Sequence, residues 1–359
     1  MSSIISYIKK KPLHLLLIAI PMAVVAELAG WNALLVFCLS AAGVIPLAGL
    51  IGDATEHLAA HTGPKIGGLI NATLGNAAEL IITLLAINKG LLELVKASIT
   101  GSIIGNLLFV LGLSILAGGV KNGIQKFDRR HTTNSNILLT IAIFGLVTPS
   151  LFSHSTASGI SQKVEALSLS VAAVMIFLYI VGIYYSLKSK SGALTPHVVE
   201  ETEHAAWSVK KSVIVLALAT LGIVVMSEIL VGSVEEVVAS SGISEFFLGI
   251  ILVPIIGNIA EHLVAITTAV KNKMELSMEI AVSSSLQIAL FVAPVLVFVS
   301  LLMGNPLTLV FNSFELAALG AAVLTSYFVS ADGESNWLEG IALLAVYVIF
   351  ALAFFIFPA

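Results

Sequence analysis

Eleven apolar stretches, most of them close to the ~20 residues a helix needs to cross a bilayer, occupy nearly all of this chain. They fall at about 13–30, 32–52, 66–88, 91–119, 136–152, 164–187, 212–232, 246–270, 277–303, 308–330 and 337–357. Only 11% of the 359 residues are charged, against roughly 25% in soluble domains. A water-soluble fold of this size could not cover its surface with so few charges. The predicted class is therefore an all-α polytopic membrane protein with about eleven transmembrane helices. The net charge of −4 is too small to point to a nucleic-acid partner. Cys38 is the single cysteine, so no intrachain disulfide can form.

Lys9, Lys10 and Lys11 precede the first apolar run, a pattern shared with cleaved signal peptides. The run continues nearly to Gly30, however, which favours a retained first helix. One sizeable polar linker interrupts the chain, containing Pro196 and the acidic residues Glu200, Glu201 and Glu203. The expected organisation is an N-terminal helix (1–30), a first five-helix repeat (31–187), a cytoplasmic linker (188–211) and a second five-helix repeat (212–359). With the N-terminus inside, alternating spans place 14 of the 17 basic residues on the cytoplasmic side, as the positive-inside rule requires. The C-terminal end, at Ala359, is then outside.

The two halves resemble each other. Gly75-Asn76-Ala77-Ala78-Glu79 matches Gly257-Asn258-Ile259-Ala260-Glu261, and at this offset of 182 residues 75–110 match 257–292 at 11 of 36 positions. Upstream, Gly52 and Glu56 pair with Gly232 and Glu236. The third and eighth spans run in opposite directions, so this is an inverted repeat, an architecture that places a substrate site near the bilayer midplane.

Glu79 and Glu261 lie near mid-depth of their spans, where a charged side chain costs about 2.5–3.5 kcal/mol on insertion scales. Each must face a polar cavity or a partner. A singly occurring glutamate could be protonated and packed against a neighbour; the same pattern twice in antiparallel spans argues for function. Asn76 and Asn258 precede the glutamates by three positions and share their helix faces. Gly75 and Gly257 permit close backbone approach or local unwinding, which would free carbonyl oxygens. Such an all-oxygen set suits a hard cation such as Ca2+. Ser98, Ser102 and Asn106 recur on one face of the fourth span, and Ser283 and Ser284 precede Gln287 in the ninth. For the serines, helix packing and pore lining stand level, and Gly101-x-x-x-Gly105 is itself a packing pattern. Gln287 is expected to line the pathway, because a buried amide needs several partners.

The segments GNAAELIITLLAINKG and GNIAEHLVAITTAVKNKMELSMEIAVSSSLQIALFVAP resemble the two repeats of the calcium/proton exchanger branch of the Ca2+/cation antiporter superfamily. ATEHLA followed by GGLINATLGN resembles its second and third helices. The resemblance implies that Glu79 and Glu261 bind the cation and that Asn76, Asn258, Ser102, Ser284 and Gln287 line the pore. It implies a place for Glu56 and Glu236 on the proton or access path. The sodium-coupled branch usually carries proline before the repeat glutamate, where Ala78 and Ala260 stand here. The linker cluster at Glu200–Glu203 is shorter than the acidic helix of some relatives.

His57 and His61, four apart, could hold Zn2+ as a pair, but no third ligand is evident in the short cytoplasmic loop expected there. His262 neighbours Glu261 but faces ~100° away on the helix, as a ligand or in a hydrogen-bonded structural role.

Charge supplies the expected mechanism. Two facing carboxylates in a low-dielectric cleft repel, so the empty site holds a proton that Ca2+ displaces. Alternate exposure of that site gives antiport, with Ca2+ and protons as substrates, no cofactor and no enzymatic activity. The expected location is the membrane itself, the plasma (inner) membrane for a prokaryotic chain. A Na+-coupled exchanger and a divalent cation channel are the rival transport readings. An intramembrane hydrolase finds no HExxH or nucleophile elbow in support.

Overall fold

The computed structural model describes residues 12–153, 160–188 and 207–357. Lys9–Lys11, residues 189–206 of the acidic linker and Ala359 lie outside these residues. Eleven apolar helical segments follow one another: α1 Leu13–Leu28, α2 Ala33–Leu74, α3 Ala77–Asn88, α4 Leu92–Asn122, α5 Arg129–Ser153, α6 Ile160–Lys188, α7 Val209–Ser241, α8 Glu245–Val270, α9 Met274–Leu302, α10 Ser313–Val329 and α11 Trp337–Ile356. Each predicted run is largely helical. Among the described residues, eight segments are long and apolar enough by themselves to cross a membrane, and α1, α3 and α10 are shorter apolar helices.

The helical stretch α2 runs unbroken through 42 residues, so the loop expected around His57 and His61 is helical. It is nevertheless not straight. A Cβ at Gly67 would stand 2.9 Å from the Cβ of Ala59, although residues eight apart in a straight helix are separated by ~12 Å. The chain turns back between them, and only glycine at 67 leaves room for so close a return. The second and third predicted runs thus form a helical hairpin, and the third is divided between the end of α2 and α3.

The first part of α2, through His57, packs antiparallel to α7. Gly43 of α2 abuts Met226 of α7, Gly222 of α7 abuts Leu47 of α2, and the His57 and Trp207 rings lie 4.7 Å apart. Under the offset of 180 relating these helices, the two glycine contacts are near-images of each other. The crossing therefore lies on the pseudo-two-fold axis of the inverted repeat. Each glycine admits a long side chain of the partner, which lets the helices approach closely.

Loop contacts fix which ends share a membrane face. β1 (Gln125–Lys126) pairs antiparallel with β2 (Glu334–Ser335), and Gln125 Nε2 donates to Asn272 Oδ1 at 2.9 Å. The loops after α4, α8 and α10 therefore meet at one face, and the positive-inside reading puts all three in the cytoplasm. At the other face, Glu245 Oε1 accepts from the Leu94 amide at 3.0 Å and Asn305 Nδ2 donates to the Ile87 carbonyl at 2.9 Å. The stretch from Asn305 to Asn312, expected to be partly helical, has no regular secondary structure. Hydroxyls complete its backbone bonding: Leu307 N donates to Ser300 Oγ, Leu309 N to Ser168 Oγ and Phe311 N to Ser150 Oγ.

Candidate cation site

The third and eighth predicted spans carry the same Gly-Asn dipeptide but break differently. Gly75 and Asn76, both poor helix formers, form the turn between α2 and α3. Gly257 and Asn258 lie inside unbroken helix, so unwinding at Gly257 is not observed. In α8 the irregularity sits upstream, in a π-turn at Leu248–Leu252 just before Pro254, which has no N–H to donate. Gly257 instead provides close approach: a Cβ there would lie 3.8 Å from Glu79 Cα. The backbone of one repeat thereby passes directly over the glutamate of the other.

Two further π-turns, Gly105–Val110 in α4 and Ile288–Val292 in α9, occupy equivalent places in the two halves. Each inserts an extra residue into its turn and re-aims the side chains beside it. Asn106 lies in the first of these turns and Gln287 immediately precedes the second, and both bond within the polar cluster around Glu79 and Glu261.

Each glutamate is held by the serine of its own half. Ser102 donates to Glu79 Oε1, and Ser284 is in hydrogen-bonding reach of Glu261. The carboxylates are close enough to interact electrostatically. Asn76 Nδ2 donates to Gln287 Oε1 at 2.7 Å; Asn258 Nδ2 donates to Ser102 Oγ at 3.3 Å and to the Pro254 carbonyl at 3.1 Å. Asn106 Nδ2 donates to Ser284 Oγ at 3.0 Å. Ser102, Ser284 and Gln287 thus each meet a glutamate or an asparagine amide, and Asn106 joins them through Ser284.

Three buried oxygens at this place have no donor from the protein: Asn76 Oδ1, Glu79 Oε2 and Glu261 Oε2. Buried acceptors are almost always paired, because an unpaired one costs about 1–3 kcal/mol. Three together, two of them on carboxylates, make a set of acceptors suited to a hard cation.

His262 takes the hydrogen-bonded role. Its Nε2 lies 3.2 Å from Asn106 Oδ1, and since the Asn106 amide donates to Ser284, that oxygen accepts from the ring. Its other nitrogen is buried without a partner. Of the remaining serines, Ser98 has no partner and Ser283 reaches only the Ile280 carbonyl at 3.5 Å. Gly101 packs on Pro254, whose Cγ would lie 2.7 Å from a Cβ, which favours packing for that glycine.

Glu56 on α2 and Glu236 on α7 are exposed and stand outside the central cluster. His57 and His61 contact Trp207, His61 Nε2 bonding the Trp207 carbonyl at 2.8 Å. Among the described residues no group of three or more His, Cys, Asp or Glu is placed to hold a metal, and in them the pair clasps the start of α7. A buried carboxylate not singled out from sequence is Glu315 of α10, which accepts from Thr100 at 3.2 Å and closes a capping box with Asn312. The spacing Asn312-x-x-Glu315 is the signal that could have revealed it.

The family model for the sodium/calcium exchanger protein matches residues 32–188 and 211–356. A Ca(2+)/H(+) antiporter of Synechocystis sp. is 42% identical over 98% of both chains. The Ca(2+)/H(+) antiporter ChaA of Bacillus subtilis is 45% identical over 94% of this chain and 96% of its own. The crystal structure of native YfkE superposes with a TM-score of 0.85 at 41% identity, covering 96% of this chain and all of that one. The chain is a multi-pass membrane protein of the sodium/calcium exchanger family and, within it, of the calcium/proton exchanger branch.

Proposed function

We propose that this chain exchanges Ca2+ for protons across its membrane by alternating access, with the inward proton gradient driving Ca2+ out of the cytoplasm. The observation that carries the reading is the trio of unpaired oxygens on Asn76, Glu79 and Glu261, set between two antiparallel repeats. The curated relatives are named for the same exchange.

Glu79 and Glu261 supply the charge. Ser102 occupies one oxygen of Glu79 and leaves the other for the cation. The Gln287 carbonyl takes the Asn76 amide hydrogen, which turns Asn76 Oδ1 toward the same space. Without the cation, two neighbouring carboxylates in a low-dielectric cleft cannot both remain charged at low cost, so protons replace it. One site that holds either Ca2+ or protons, but not both, couples the two fluxes.

Ca2+ uptake by proteoliposomes under an imposed pH gradient, with and without Na+, tests the reading. Uptake that follows the proton gradient and ignores Na+ is expected. Uptake that requires Na+ would instead establish sodium coupling, and dissipative flux without counterflow a channel.

A further inference from the structure

Two of the three π-turns among the described residues carry a phenylalanine at equivalent places of the repeat, Phe109 in α4 and Phe291 in α9. Each is stacked by a tyrosine from the last helix of the opposite half. Tyr347 of α11 lies against Phe109, with ring centroids 5.1 Å apart at 34°, and Tyr179 of α6 lies against Phe291 at 5.0 Å and 21°. Both tyrosines are buried. The third π-turn, Leu248–Leu252 in α8, also meets the opposite half, its Ile250 carbonyl seated on Gly101 of α4.

A π-turn is rare in isolation and persists where the surrounding structure holds it. If the extra residue were lost from the turn, side chains on one side of it would rotate by ~100° relative to those on the other. Asn106, inside the first turn, would then leave Ser284, and Gln287, at the edge of the second, would leave Asn76. The stacking contact belongs to the ring and not to the hydroxyl, since Tyr179 Oη is buried with no hydrogen-bond partner among the described residues.

We propose that Tyr179 and Tyr347 are positioning residues for the cation site, each bracing the π-turn of the opposite half so that Gln287 and Asn106 stay bonded to Asn76 and Ser284. Each acts at second hand, through a phenylalanine and a turn of backbone. This deepens the exchange reading and rests on it for the identity of the bound ion. The braces are reciprocal: the last helix of each half sets a polar side chain of the other, so losing either ring should weaken the same site.

Tyr179→Leu removes the ring and keeps an apolar side chain, whereas Tyr179→Phe removes the unpartnered hydroxyl alone. Calorimetric titration of purified, folded protein should show Ca2+ affinity lowered about three- to tenfold in Tyr179→Leu, as loss of one aromatic pair allows, and unchanged in Tyr179→Phe. Combined with Gln287→Leu, Tyr179→Leu should cause no further loss, because the side chain it positions is already gone. Tyr347→Leu should behave in the same way with Asn106→Leu. Losses that multiply in the double variants would reveal general destabilisation and overturn the positioning role, as would wild-type affinity in Tyr179→Leu or an equal loss in Tyr179→Phe. Amide hydrogen exchange of the metal-free protein reads the brace whatever ion is bound. Residues 288–292 should exchange at least about threefold faster in Tyr179→Leu than in the wild type or Tyr179→Phe; unchanged exchange there would overturn the brace. Absence of Ca2+ binding to the wild type would fail the exchange reading instead, leaving amide exchange to decide the brace.

Discussion

Asn76 and Gln287 are joined amide to amide at 2.7 Å across the interface between the two halves, with Asn76 as donor. The bond orients Asn76, since with its Nδ2 engaged by Gln287 its Oδ1 is left buried without a donor. Gln287→Leu would leave a buried donor unsatisfied, at about 1–3 kcal/mol, and free the Asn76 amide to rotate. Ca2+ affinity is expected to fall about tenfold, the equivalent of ~1.4 kcal/mol. Calorimetric titration of the purified variant, alongside its melting temperature, checks this. Unchanged affinity would remove Asn76 from the ligand set.

Glu79→Gln and Glu261→Gln are each expected to abolish exchange while leaving folded, monodisperse protein. The amide keeps the shape of the side chain but provides neither the charge nor the releasable proton. Near-normal transport by either variant would show that its carboxylate is not a central ligand.

Acid should weaken Ca2+ binding. Protons bind the empty site and are expelled from the loaded one, so by linkage the apparent Ca2+ affinity falls as pH falls. Because the carboxylates interact, the titration belongs to the pair and not to either residue. Saturating Ca2+ should overcome the inhibition. Proton release on Ca2+ addition in weak buffer, with the double Gln variant as control, measures the effect; binding without release across about pH 5 to 8 would rule out direct competition.

Glu56→Gln and Glu236→Gln should slow exchange or shift its pH dependence without eliminating Ca2+ binding, since both side chains are exposed near opposite ends of the crossed helices. Loss of equilibrium binding in either variant would bring that residue into the central site.

Labelling of single cysteines should find the turn at Gly90, Gly242 and Gly304 on the outer face and that at Gly123, Asn272 and Gly333 on the cytoplasmic one. The cross-loop bonds of Asn305 to Ile87 and Gln125 to Asn272 set these groupings. Any residue of one group labelled from the opposite side would undo the topology.

The helices were legible because length and apolarity are properties of one segment at a time. The duplicated glutamates were legible because a repeat is visible without coordinates. Gly75-Asn76 and Gly257-Asn258 show where this stops: an identical dipeptide breaks one helix and not the other, because Pro254 and its π-turn take up the irregularity in the second. The partner of Asn76 was also hidden, since which amide it meets depends on how α3 crosses α9.

Four polar side chains of the first half find their partners in the second: Asn76 in Gln287, Asn106 in Ser284, Thr100 in Glu315, and Asn136 in Ser330 at 2.6 Å. During synthesis these amides and hydroxyls enter the membrane before their counterparts exist. A chain stopped at the linker would hold four buried polar groups with nothing to bond except water, a lipid headgroup or another copy of itself. Either half made alone should therefore be a substrate for membrane quality control, and separately made halves should be rescued by each other when inserted with opposite orientations.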